Sequence, residues 1–154
     1  MLLKETALVR LLGLRIPVLL FLGPRVERLD EEGCAISIPL GLRSRNHLGS
    51  MYFGALCAGA DVAAGLNAAK LIWFGGHRGV QLVFKDVKAE FLKRADGDVR
   101  FEMRQGREVK DALLRTEASG EREVVPVEVL ATVPARYGDE PVARFTMGLA
   151  LKRR

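Results

Sequence analysis

The stretch Gly54 to Phe74, GALCAGADVAAGLNAAKLIWF, holds no proline and is dense in Ala and Leu, so it predicts one helix of about 20 residues, ~30 Å long. Gly75 and Gly76 stop it. Only Asp61, Asn67 and Lys70 are polar, so its surface is apolar nearly all round, and such a helix is buried on most faces. Ala55, Ala58, Gly59, Ala60, Ala63, Ala64 and Gly65 let a neighbouring element approach closely. A membrane helix would share this pattern, but the three polar side chains and the long, strand-rich remainder disfavour it. The fold must therefore wrap this helix. It must also supply a reason for Asp61, because a buried carboxylate costs several kcal/mol unless it is paired, hydrogen-bonded or protonated.

The remainder supplies the wrapping. Leu3, Ala7, Leu11 and Leu14 recur at helical spacing, with Gly13 and Pro17 marking the exit, so residues 1–22 predict a helical extension. Its apolar run Ile16 to Leu22 is far short of the roughly 20 residues a membrane span needs, and no small-residue cleavage site follows. Val26 to Leu29, a DEEG turn and Ala35 to Leu40 read as a hairpin. After Gly79 come four strands. The first is apolar at Val80, Leu82 and Phe84 and then at Val87, Ala89 and Phe91, a change of phase that predicts a bulge near Lys85 and Asp86. Val99, Phe101 and Met103 alternate with charges in the next, and Gly106 to Gly120 predicts a short helical or irregular connection. Val125, Val127, Val129 and Ala131 mark the third, and Ala143, Phe145, Met147, Leu149 and Leu151 the last.

These elements give an α+β domain spanning residues 1–154, with an antiparallel sheet of about five or six strands around one long central helix and an extra N-terminal helix. One curved sheet covers one side of that helix. The apolar surface left over predicts a homo-oligomer, a dimer or tetramer.

The hydrophobic content of 49% fills one sizeable core. The net charge of +5, from 24 Lys and Arg against 19 Asp and Glu, is diffuse and names no partner by itself. No basic stripe interleaved with aromatics supports nucleic-acid binding. Cys34 and Cys57 are isolated in apolar contexts, as in a reducing, cytoplasmic compartment. With His47 and His77 the only histidines, no metal site is expected.

The order of elements, and the run Asn46, Gly49, Ser50, Tyr52, Phe53, Gly54 and Asp61, resemble the hotdog-fold acyl-CoA thioesterases, in particular the phenylacetic-acid-pathway type and related thioesterase-like domains of unknown function. In that group the loop carries an Asn, a Gly three residues on, a His-Gly-Gly-like helix start and an Asp or Glu nine residues after the His. Asp61 stands nine residues after Tyr52. Tyr52 and Phe53 replace the His and Gly, so the role of that His does not carry over.

The resemblance implies a substrate that is an acyl-CoA or another acyl-carrier thioester, with coenzyme A entering as part of the substrate and no separate cofactor. Asp61 would be general base or nucleophile. The N–H groups near Phe53 and Gly54 would receive the oxyanion, Asn46 would hold water or thioester, and Gly49, Ser50, Tyr52 and Phe53 would border the substrate. Plainer readings stand beside these: Asn46 as a turn cap, Ser50 as a helix cap and Gly54 for close packing. Arg43, Arg45, Lys85 and Lys88 are candidates for coenzyme A phosphates, with surface solvation as the alternative. A non-catalytic acyl-CoA or lipid-binding domain of the same fold, or a scaffold module, are the competing functions.

Overall fold

The computed structural model describes residues 1–154. Its elements run α1 (Leu3–Gly13), α2 (Pro17–Leu22), β1 (Arg25–Leu29), β2 (Cys34–Ile38), α3 (Phe53–Phe74), β3 (Val80–Phe91), β4 (Val99–Met103), α4 (Gly106–Ser119), β5 (Glu123–Thr132), α5 (Pro134–Tyr137) and β6 (Pro141–Arg153). One six-stranded sheet has the order β1-β2-β4-β5-β6-β3, and every neighbouring pair is antiparallel.

Alternation along the strands decides which face is the core. Val127, Val129 and Ala131 of β5 and Phe145, Leu149 and Leu151 of β6 are fully buried, while Glu128 and Arg144 point outward. Against the apolar face lies α3, packed on β2, β3, β4, β5 and β6. By length and composition α3 could cross a bilayer, but 72% of its most apolar window is buried inside the fold, as a core helix requires. Gly59 makes the closest approach possible: a Cβ there would lie 2.3 Å from Cζ of Phe101 on β4.

The phase change in β3 is a bulge. Register shifts between Phe84 and Val87, and Asp86 turns back so that its Oδ1 accepts the Gly148 N–H at 3.1 Å. Between β4 and β5 the chain is more regular than expected. Gly106 to Ser119 forms a 14-residue helix, whose buried Val109, Ala112, Leu113 and Thr116 recur at helical spacing and seat it on α3, β5 and β6.

The N-terminal helix forms, but its Leu3, Ala7, Leu11 and Leu14 stripe faces outward and Thr6, Val9 and Gly13 face in. A polar anchor sets that rotation. Thr6 Oγ1 accepts the buried Val26 N–H at 3.0 Å, and the Leu2 N–H donates to the Val26 carbonyl at 2.6 Å. Those bonds also cover the outer edge of β1. No such cover exists on β3, which pairs only with β6 and exposes Val83, Val87 and Phe91.

On the outer face Glu102 accepts from Arg28, Arg100 and Arg104 at 3.0–3.1 Å. Burial alone would raise its pKa, but the hydrogen bonds and charges of Arg104 and Arg100 outweigh that and lower it from 4.5 to about 2. A folded pKa below the unfolded one stabilises the fold above pH 4.5, and that contribution is lost as pH falls toward about 2. Glu102→Gln is therefore expected to flatten the acid limb of stability in urea unfolding across that range. Superimposable wild-type and variant limbs would show that the cluster contributes nothing.

Candidate active site

The loop before α3 is held by its own polar groups. Asn46 Oδ1 accepts the N–H groups of Leu48 at 2.9 Å and Ser50 at 3.2 Å, and its amide donates to Ser50 Oγ at 3.1 Å. Gly49 takes a left-handed conformation at φ +79°, which a turn of this shape requires of glycine. Asn46, Gly49 and Ser50 thus form one tight unit, with Ser50 buried. The loop is tied to its surroundings by the Tyr52 N–H donating to the Ser44 carbonyl at 2.7 Å and the Met51 N–H to Ala95 at 2.8 Å.

That unit delivers the start of α3. Tyr52 is its N-cap, with no capping side chain. The N–H groups of Phe53, Gly54 and Ala55 have no acceptor in the chain, the open donor set of a helix start. The space beside Gly54 is occupied: its missing Cβ would lie 2.4 Å from Cε1 of the Tyr52 ring, so Gly54 makes room for that ring. Tyr52, Phe53 and Phe91 form an edge-to-face row with neighbouring centroids 6.3 and 5.6 Å apart, and Phe91 meets the buried Phe145 at 6.0 Å. The outer three rings are about half exposed, at 54%, 59% and 48%.

Of the three polar residues in α3, one finds a partner in the fold through its amide nitrogen, its Oδ1 staying buried without a hydrogen bond, and one reaches solvent. Asn67 donates its amide to the Asp30 carbonyl at 2.7 Å, pinning the helix to the β1–β2 turn, and Lys70 reaches solvent. Asp61 is half-buried with no hydrogen bond and no ion pair, and burial alone pushes its carboxyl above the usual carboxylate range. It lines an apolar groove of ≈ 550 Å³ between α3, β3 and the N-terminal helices, with Val9, Leu19, Leu66, Leu82 and Phe84 among its walls.

The predicted residues fall into two groups, one in the loop and first turn that open α3 and one within that helix. Asn46, Gly49, Ser50, Tyr52, Phe53 and Gly54 are at its start, and Asp61 lies seven positions beyond Gly54 on nearly the same face, ~10 Å along the axis. Arg43, Arg45, Lys85 and Lys88 are exposed and none lines the groove, although the Arg45 backbone bridges Met51 across the base of the loop unit; Lys85 and Lys88 lie 3.4 and 3.7 Å from Asp86 and Glu90. What the sequence did not indicate is the share of α1 and α2 in the groove wall. Their apolar pattern signalled a helix, but nothing in it signalled what the buried face would meet. No group of three or more His, Cys, Asp and Glu side chains is placed to hold a metal.

A family model described as a domain of unknown function, DUF4442, matches residues 4–149. The chain belongs to this family. Solved structures share the fold of this DUF4442 domain. A protein of unknown function from Pseudomonas aeruginosa, described as a probable thioesterase, is 26% identical over 99% of this chain and 97% of its own, with a TM-score of 0.78. A protein of unknown function from Chlorobaculum tepidum is 15% identical over 98% and 95%, with a TM-score of 0.81. A P. aeruginosa thioesterase, crystallised as a glutamine-to-alanine variant, is 16% identical over 100% and 96%, with a TM-score of 0.67. No curated protein matches the chain. The sheet around α3 is thus the hotdog fold of thioesterase-like proteins.

Proposed function

We propose that this DUF4442 domain hydrolyses acyl thioesters, with coenzyme A or an acyl carrier as the thiol, and that it does so as a homodimer or a dimer of dimers. The observation that carries this reading is Asp61: a carboxylate without a partner, at raised pKa, facing an apolar groove on the same helix whose start offers free N–H donors. Burial keeps Asp61 basic enough to take a proton from water, and the donors at Phe53 and Gly54 favour the negative oxygen of a tetrahedral intermediate.

Distance supports the second copy. A water attacking a carbonyl stands about 3–3.5 Å from it. Gly54 and Asp61 of one chain are ~10 Å apart along the axis. Two α3 helices side by side and antiparallel would bring the start of one beside Asp61 of the other, and would cover the exposed Phe53, Phe91 and Val87.

The test is release of free thiol from a panel of acyl-CoAs, with chain mass measured by light scattering. Turnover at a rate well above buffer, by a species of two or four chains, is expected. The Tyr52 ring over Gly54 favours a second reading, an acyl-CoA-binding domain without turnover. Saturable binding with no thiol released over hours would establish it and overturn hydrolysis.

A further inference from the structure

Three arginines from remote segments line one cavity at the far end of the groove from Asp61. Arg15 follows α1, Arg78 follows α3 and Arg154 follows β6, and with Leu11 and Trp73 they line a second cavity of ≈ 410 Å³. The two cavities share Leu12, Ile72, Trp73 and Arg154 as common walls, so they adjoin as the two parts of a trough. Arg15, Arg78 and Arg154 enter no ion pair, which they share with other surface arginines such as Arg25 and Arg122; what sets them apart is that all three line one cavity.

Along α3 the trough runs from Asp61 to Trp73, twelve positions or ~18 Å. Between those ends the wall is hydrocarbon, with Gln81 the polar exception. A chain carrying amide groups would leave them without partners there, whereas methylenes lose nothing by entering. The charged ends fix direction, since a carboxylate is drawn to three guanidinium groups and repelled by ionised Asp61.

We propose that the trough binds a free long-chain carboxylate, its head on Arg15, Arg78 and Arg154 and its hydrocarbon chain lying along α3 toward Asp61. This orientation is the reverse of a thioester substrate, whose carbonyl must lie beside Asp61, so the inference does not depend on turnover. A bound acid fills the space an acyl chain would use.

Trp73 is the single tryptophan and lines both cavities, so its emission reports occupancy. The full-length protein is titrated, below the micellar limit, with dodecanoate, tetradecanoate, the alcohols of the same lengths and coenzyme A without an acyl group. Saturable binding of the acids is expected, tightening roughly tenfold for two added methylenes. Each acid should bind at least tenfold more tightly than its alcohol. Arg15 and Arg78 are exposed, so the double variant Arg15→Ala, Arg78→Ala is expected to lose that preference while binding the alcohols as before. No saturable change with the acids, equal wild-type affinity for acid and alcohol, or an equal loss of both in the variant would overturn the proposal. So would coenzyme A alone binding in an Arg15- and Arg78-dependent way while the acids do not, which would make the pocket a phosphate site.

Discussion

Asp61→Asn is expected to lower kcat/KM for thioester hydrolysis by roughly 10²–10⁴-fold, the range general-base catalysis supplies, while making the folded protein more stable at neutral pH. The two effects share one cause. Asn has nearly the same shape as Asp and fits the same half-buried place, but it neither takes a proton from water nor carries charge. In the native chain burial raises the Asp61 pKa, with no hydrogen bond or cation opposing it. A folded pKa above the unfolded one means that the folded state holds a proton the unfolded state has released. Stability from Asp61 is therefore full below its unfolded pKa and is lost as pH rises through the folded value. Asn removes that loss, so urea unfolding should show the variant ahead at neutral pH and level with wild type in acid. Wild-type turnover should rise through the same raised pKa, because the base acts only when ionised. Turnover retained by the variant would remove Asp61 from the chemistry. A variant less stable at neutral pH would mean that the ionised carboxylate is satisfied by a group from another chain.

How much of this was legible in the sequence depends on whether a residue's neighbours in space are also its neighbours in pattern. The central helix, the strand alternation and the β3 bulge are local statements of period, and Val87 out of phase with Phe84 sufficed to place the bulge. The connection at Gly106 to Gly120 carries a helical signal in Val109, Ala112, Leu113 and Thr116, which is local and legible too. The rotation of α1 was not legible, because the Thr6 hydroxyl is fixed by an N–H twenty residues away on β1. Asp61 and Asn67 looked alike as polar interruptions of one apolar helix. Only the structure separates them, giving Asn67 a carbonyl on a distant turn and Asp61 nothing. The arginine-lined cavity is the extreme case, since residues 15, 78 and 154 share no motif and border one cavity only once α1, α3 and β6 are packed.

Gly59→Ala is expected to destabilise the fold by about 2 kcal/mol, although alanine is the better helix former. In a helix interior the exchange alone favours alanine by about 1 kcal/mol. At this position the new Cβ would lie 2.3, 2.4 and 2.7 Å from three carbons of the Phe101 ring, well inside contact. That ring cannot step aside. Phe101 is fully buried on β4, paired across the sheet with Ile36 on β2 and Ala131 on β5, both fully buried as well. Overpacking of this kind costs about 1–3 kcal/mol, occasionally more, and three such contacts on a rigid ring place it at or above the top of that range, so it exceeds the helical gain. Thermal unfolding should register a loss of roughly 4–8 °C for a domain of this size. Gly65→Ala on the same helix is the control, because its Cβ would meet Phe84 at an ordinary 3.5 Å. That variant should be as stable as wild type or more so. If Phe101 is the obstacle, Phe101→Leu should cost less when Gly59 is already alanine than when it is glycine, a non-additivity expected of residues in contact. Additive losses would mean that α3 shifts away from the sheet as a body to relieve the clash. The Asp61 groove between α3 and β3 would then widen with it, and ligand binding there would change in the Gly59→Ala variant even though Gly59 does not line the groove.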